Sequence, residues 1–259
     1  MKYVVNLNSV TPVRSAPQEQ AEMVTQLLFG ETCEVEGDSE SFVKIKNSID
    51  SYTGWVDAKM LTEIDEEIYT KLLSHPTFMT CVPIADAFCM TDKSIYHLSA
   101  GSRLPFYNPE NSSFDIAGKT FQIHPSFVTY LPHSSKDNII ATAMLFLNSP
   151  YMWGGKNVFG IDCSGLVQTV FAMNGFSLTR DAGTQVKEGE IISSLAEAQP
   201  TDLLFFEKDE KTTHVGIYLG DGKIIHASGK VKIEPVDNKG IMNDETSAYS
   251  HILSAIRRI

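Results

Sequence analysis

Tyr151-Met152-Trp153-Gly154-Gly155 and, after a gap of four residues, Gly160-Ile161-Asp162-Cys163-Ser164-Gly165-Leu166 form the stretch on which the reading of this chain turns. A glycine-rich, aromatic-bearing loop runs into Asp-Cys-Ser-Gly, and an apolar pattern of helical period then begins at Leu166, Val167, Val170 and Phe171, with Gly175 as its stop. The spacing predicts a helix with Cys163 in its first turn. There the unpaired N–H groups and the helix macrodipole favour an anion, so the thiol is expected to ionise more readily than that of a free cysteine. A thiolate is the form that attacks carbonyl carbon. The alternative is a small buried hydrophobe, and the polar and tiny neighbours on both sides of Cys163 argue against it.

Outward from this centre, a helix is predicted from Ser134-Ser135, with Asp137 in its first turn, one apolar stripe of Ile139, Ile140, Ala143, Met144 and Leu147, and Pro150 as its stop. Downstream lies a loop carrying Leu178-Thr-Arg-Asp181 and Gln185. Strands are expected at 202–206, 214–219, 223–227 and 252–256. Helices first and an antiparallel sheet afterwards is an α+β layout.

Two histidines fall on that sheet. His214 heads one strand and His226 lies in the next, with Gly220-Asp-Gly222 between them. A two-residue loop pairs 220 with 223 and sends the two histidines to opposite faces. A three-residue loop pairs 219 with 223, so that 226 lies opposite 216 and shares a face with 214. The imidazoles are then diagonal neighbours with Cα atoms roughly 7–8 Å apart. Gly222 suits the left-handed position of such a loop. A catalytic use of both histidines therefore predicts the three-residue loop; taken singly, each histidine could equally be a satisfied or exposed side chain.

The first half of the chain has a different rhythm. Short β segments are expected at 3–5, 23–28, 32–35, 42–45 and 54–56, as in a small barrel. Trp55 is expected to pack in its core, while Tyr52 sits in the loop before it. From Thr62 to Ser74 the period changes to helical, with Ile64, Ile68 and Leu72 on one face and acids at 63 and 65–67 in the first turns, and Pro76 ends the run. Residues 77–132 return to short β segments at 78–82, 96–98, 103–107, 120–123 and 127–131.

Composition limits what such a chain can do. Its 259 residues suffice for two or three domains, and 42% hydrophobic content is ordinary for a globular protein. The net charge of −11 divides as −8 over residues 1–133 and −3 beyond, which repels nucleic acid, anionic lipid and anionic wall polymers and suits a substrate bearing an ammonium group. Four cysteines (33, 81, 89 and 163) show neither Cys-x-x-Cys nor metal-ligand spacing, so Cys33, Cys81 and Cys89 are expected to be structural, with no disulfide and no metal or organic cofactor. No apolar run is long enough to span a membrane, and Met1-Lys-Tyr-Val-Val-Asn6 lacks a signal-peptide core. The expected location is cytoplasmic for this N-terminus, and periplasmic or secreted if a leader was removed.

Six motifs, in order and at matching spacing, resemble the NlpC-type cell-wall cysteine peptidases: Tyr-x-Trp-Gly-Gly, Gly-x-Asp-Cys-Ser-Gly-Leu, Arg-Asp-x-x-x-Gln, Asp-Leu-Leu-Phe-Phe, His-Val-Gly-Ile-Tyr-Leu-Gly and Ile-His-Ala-Ser. Pro12-Val-Arg with Gly54-Trp-Val-Asp-x-x-x-Leu61 resembles a bacterial SH3 domain, and Ala100-Gly-Ser-Arg-Leu-Pro-Phe106 a second, diverged one. The implied architecture is an α+β papain-like catalytic domain at 134–259 preceded by two small all-β SH3-like barrels at 1–62 and 77–133, joined by a linking helix at 63–76.

By the resemblance, Cys163 is the nucleophile, His214 the general base and acid, and His226 the residue orienting it. Tyr151 assists the oxyanion together with the helix-start N–H groups. Asp162, Asp181 and the hydroxyls of Ser164 and Tyr52 resemble the group that holds the free amine of an N-terminal L-alanine. Asp162 can also cap the helix, and Asp181 can pair with the surroundings of Arg180. The implied activity is hydrolysis of the γ-D-glutamyl-L-diamino acid bond in murein tripeptides or tetrapeptides during cell-wall recycling, with no nucleic acid or membrane partner and a monomer expected. The competing readings are a murein-binding adaptor with a vestigial peptidase domain, a general cell-wall D,L-endopeptidase, and amidase or acyltransferase chemistry.

Overall fold

A computed structural model of the chain describes residues 2–75, 77–130, 134–243 and 248–259. The chain divides into two compact units, Met1–Ser134 with Lys156–Val158, and Ser135–Gly155 with Phe159–Ile259.

The first unit is β-rich. Its seven-stranded sheet runs in the order Met23–Leu28, Val10–Arg14, Thr53–Asp57, Phe42–Asn47, Thr32–Ser39, Tyr3–Val5, Thr62–Ile64. Alternate residues of these strands, Val4, Val13, Leu27, Cys33, Val43, Ile45 and Val56 among them, form its core. Trp55, expected in that core, is only half-buried; the inward position of its strand belongs to Val56. The expected helix from residue 63 begins later. Thr62–Ile64 is a strand paired with Tyr3–Val5, and helix α1 spans Glu66–Ser74. Asp65 marks the switch because its carboxylate accepts the Ile68 N–H at 2.7 Å, closing the first turn, with Glu66 and Glu67 behind it. Pro76, the expected helix stop, lies outside the described residues.

A four-stranded sheet follows, in the order Ser94–Ser99, Ile84–Cys89, Lys119–Ile123, Ser113–Ile116, with Val128–Tyr130 paired to Phe78–Thr80. Ile84–Cys89 escaped the sequence reading because its inward residues are the small Ala85, Ala87 and Cys89, which mute the alternation. The strand expected at 103–107 is absent: Pro105 has no N–H to donate and Phe106 adopts a positive φ of 54°. Residue 131, the expected end of the last strand, lies outside the described residues. This second β segment shares its core with the first, since Val5, Leu7, Phe29, Ile64 and Tyr69 pack with Ala85, Leu98, Phe114 and Phe121.

The second unit sets short helices before an antiparallel sheet. Helix α2, Ile139–Met144, is shorter than its apolar stripe suggested. Ser135 and Asp137 form a turn ahead of it, and Leu147 is exposed while Phe146 is fully buried. Helix α3, Cys163–Ala172, is buried on all sides from Cys163 to Phe171. Its C-terminus closes where the N–H of Gly175, at φ 83°, bonds the Ala172 carbonyl and that of Phe176 bonds the Phe171 carbonyl. Helix α4, Ala182–Gln185, is a single turn. The sheet runs Glu190–Ile192, Ala248–Arg258, Leu203–Lys208, Lys211–Gly220, Lys223–Ser228, Lys230–Pro235, with Gly240–Asn243 on the free part of the Ala248–Arg258 strand. Helix α3 packs on the Lys211–Gly220 and Lys223–Ser228 strands. No helix among the described residues is long and apolar enough to cross a membrane.

Candidate active site

The head of α3 is fastened by Asp162. Its Oδ1 accepts the Gly165 N–H at 2.6 Å, which caps the helix, and its Oδ2 accepts the Gly154 N–H at 2.8 Å, which ties the preceding loop to the same point. Arg180 then grips both oxygens, Nη1 to Oδ1 at 3.0 Å and Nη2 to Oδ2 at 2.6 Å, while Nη1 also donates to Ser164 Oγ at 2.9 Å. This guanidinium is only 1% exposed. Gln185 Nε2 donates to the carbonyls of Ser164 and Thr179. Gly165 is required here, because a Cβ would lie 2.2 Å from the Gly155 carbonyl oxygen and 2.9 Å from Asp162 Oδ1.

Arg180 and Gln185 stand in the Arg-Asp-x-x-x-Gln motif, yet the sequence reading assigned neither to the site. A charged side chain in a loop reads as surface until the tertiary fold buries it. Asp181, its neighbour, stays exposed at the start of α4, where its carbonyl accepts the Thr184 and Gln185 N–H groups.

Cys163 heads α3, as its position in the motif predicts, and is 6% exposed. The backbone N–H groups of Val215, the residue after His214, and of Ser164 favour its anion. The expectation of an easily ionised thiol is nonetheless overturned. Burial first, then the Asp162 carboxylate beside it, push the Cys163 thiol up to about 11, outweighing the two N–H groups and Arg180. Tyr151 lies in the same field: burial, then Cys163 and Asp162, raise its hydroxyl to about 12, which keeps it a hydrogen-bond donor at neutral pH.

The histidine hairpin has the face-sharing register. Gly216 lies opposite His226, and His214 Nε2 meets His226 Nδ1 at 2.7 Å. The route differs from the expected three-residue loop. Gly220 pairs with Lys223 across a two-residue Asp221-Gly222 turn with φ values of 50° and 65°, and a register shift between Tyr218 and Gly220 supplies the odd residue as a bulge. Burial, then His226, holds His214 well below its ordinary value. Burial lowers His226 to about 4 even against the pull of Glu234.

Two further side chains complete the cluster. Glu234 Oε2 lies 2.8 Å from His226 Nε2, and its Oε1 pairs with Lys232 Nζ at 3.0 Å. His251 stacks on His214 with ring centroids 4.1 Å apart. Sequence reasoning missed both because the Lys230–Pro235 strand was not foreseen and the expected last strand began at 252, one residue beyond His251. Tyr52 belongs to the first unit, where its N–H donates to Asp50 Oδ1 and its carbonyl accepts the Asn47 N–H.

The model of the NlpC/P60 family matches residues 148–249, and that of the bacterial dipeptidyl-peptidase SH3 domain matches residues 13–61. A Bacillus subtilis protein named gamma-D-glutamyl-L-lysine dipeptidyl-peptidase is 32% identical over 250 residues, covering 90% of this chain and 80% of its own. A Bacillus cereus protein of the same name is 27% identical over 252 residues, covering 88% and 75%. The fold is also that of an NlpC/P60 family protein from Bacillus cereus solved by crystallography, with a TM-score of 0.86 at 23% identity over 99% of each chain. A papain-like domain with a cysteine at its helix head, behind a bacterial SH3 domain and with this whole-length kinship, establishes that the chain belongs to the NlpC/P60 family and is a cysteine peptidase.

Proposed function

We propose that the enzyme hydrolyses the γ-D-glutamyl-L-diamino acid bond of murein peptides that carry a free N-terminal L-alanine, releasing L-Ala-γ-D-Glu in cell-wall peptide recycling. The observation that carries this reading is Cys163 at the head of α3, a helix packed on the two strands that bear the hydrogen-bonded His214–His226 pair. The names of the two Bacillus relatives point to the same bond.

At rest the buried thiol and imidazole are both neutral. Moving the proton from Sγ to His214 creates two opposite charges together, and their attraction in a site shielded from water offsets the desolvation that each suffers alone. Sγ attacks the γ-carbonyl carbon as His214 takes its proton, and the C=O π electrons pass to oxygen. Tyr151 O–H and the backbone N–H groups of the helix start hold that oxyanion. On collapse the C–N bond breaks, and His214 gives its proton to the departing amine of the diamino acid. A water molecule, deprotonated by His214, then splits the thioester and restores the thiol.

The amine subsite follows from charge. Asp162, whose charge Arg180 shares, and Asp181 supply carboxylates for the ammonium, with Ser164 Oγ as a neutral acceptor. Tyr52 enters this subsite on sequence grounds alone. The test is incubation with L-Ala-γ-D-Glu-L-Lys, its diaminopimelate counterpart and their N-acetylated forms, followed by mass spectrometry with a Cys163→Ala control. Cleavage of the free peptides alone is expected; equal cleavage of the acetylated peptides would remove the amine subsite.

A further inference from the structure

Three adjacent strands carry a continuous line of hydrogen bonds. His214, on Lys211–Gly220, bonds through Nε2 to His226 Nδ1 on Lys223–Ser228, and His226 Nε2 bonds to Glu234 Oε2 on Lys230–Pro235. Both junctions are diagonal: 226 faces 216 on one side and 232 on the other, while 234 faces 224. Lys232 holds the second carboxylate oxygen. His226 is fully buried, and each of its two ring nitrogens is satisfied by one of these two partners.

We propose that Glu234 is a positioning residue that sets the tautomers of both histidines and thereby presents His214 Nδ1, bare of a proton, to the Cys163 thiol. This rests on the reading of His214 as the base. An ionised carboxylate can only accept, so the facing Nε2 of His226 must carry the hydrogen. A neutral His226 then has its lone pair on Nδ1, and that lone pair accepts from His214 Nε2–H. A neutral His214, with its hydrogen committed to Nε2, keeps its lone pair on Nδ1. Two successive choices of proton position are thus dictated from one carboxylate across two strands. When His214 becomes an imidazolium, the charge of Glu234 also stabilises it through His226. Among the described residues, the other charged or titratable groups that face the line are Lys232 on the Glu234 strand and His251, stacked on His214 from the Ala248–Arg258 strand, with α3, which Cys163 heads, packed on the two histidine strands.

The decisive measurement is ¹⁵N NMR of the histidine-labelled full-length chain at neutral pH, with signals assigned by removing the other histidines one at a time. The expected pattern is a protonated Nε2 and a bare Nδ1 on both His226 and His214. A protonated Nδ1 on His226 overturns the proposal without any variant. In Glu234→Ala the pattern is expected to become mixed, while kcat falls on the order of ten- to a hundredfold and KM stays within about twofold, as for carboxylates that orient metal-bound histidines. Glu234→Gln, whose carbonyl still accepts, is expected to keep the pattern and recover most of kcat. Unchanged tautomers and kcat in Glu234→Ala also overturn the proposal. Should the wild-type chain show the expected tautomers, and lose them in Glu234→Ala, while cleaving none of the murein peptides, the substrate reading fails and the role of Glu234 stands.

Discussion

Replacing Arg180 by Met keeps most of its buried volume and removes its charge. Asp162 would retain the Gly154 and Gly165 N–H groups and the Ser164 hydroxyl, but no counter-ion, at a site where the two side chains are 1% and 7% exposed. Removing one partner of a buried, bidentate ion pair costs about 3–5 kcal/mol, because the remaining charge stays out of water. Helix α3 begins at this point, so its opening should carry the loss. The assay is native-state hydrogen exchange of the Cys163–Ala172 amides, whose protection should fall roughly 10²–10⁴-fold. The companion variant Arg180→Met/Asp162→Asn keeps the cap acceptor and removes both charges. It should be more stable than Arg180→Met alone. A fall in protection below tenfold, or a double variant whose loss equals the sum of the single losses, would refute the reasoning that Arg180 serves as the counter-ion.

Other consequences follow from the same geometry. His226 titrates near 4 in the folded chain against an ordinary 6.5, so the stability that it contributes is complete above pH 6.5. As the pH falls towards 4, the unfolded chain takes up a proton that the folded chain refuses; the loss reaches roughly 3 kcal/mol for this one group, and acid titration of His226→Gln should show a shallower decline. His214, depressed in the same direction, adds to that decline. Iodoacetamide should alkylate Cys163 slowly at pH 7 and rapidly only as the pH approaches 11, measured against Cys163→Ala to subtract the other thiols; a plateau already reached below pH 7 would sink the neutral resting pair. Gly165→Ala should abolish most activity and destabilise the second unit by about 1–3 kcal/mol, because the clash is with backbone that cannot rotate away. Thermal unfolding indistinguishable from the wild type would contradict that close approach.

Much of the architecture was legible in the sequence because its signals are local. The start of α3 is written in Asp162 and the glycines around it, its interior in the apolar period and its end in Gly175, all within one short segment. Strands of the first sheet such as Met23–Leu28 and Phe42–Asn47 announce themselves in the same way, over a few positions, whereas Val10–Arg14 was not foreseen and Thr62–Ile64 read as helix. The face shared by His214 and His226 was expected only on the assumption that both are catalytic: the two-residue turn that forms would by parity alone separate them, and the bulge between Tyr218 and Gly220 restores the shared face. What failed locally failed for identifiable reasons. Small inward residues hid Ile84–Cys89, and the polar alternation Lys-Val-Lys-Ile-Glu-Pro hid the strand that carries Glu234.

Only the tertiary structure decided which charges meet and what protonation state the thiol holds. Arg180 and Asp162 are eighteen residues apart, and the sequence offered Asp162 as a cap or amine ligand and Arg180 no role, yet folding buries them as a pair. Cys163 sits where a helix dipole favours its anion, but whether that anion forms depends on how much water the surrounding elements exclude, and here burial prevails over the dipole. The stacking of His251 on His214 and the line from His214 through His226 to Glu234 depend on strand order and register across four strands. Sequence neighbours specify caps, periods and turns because those interactions span a few residues; desolvation and ion pairing sum over everything packed around a group, and that sum exists only in the folded chain.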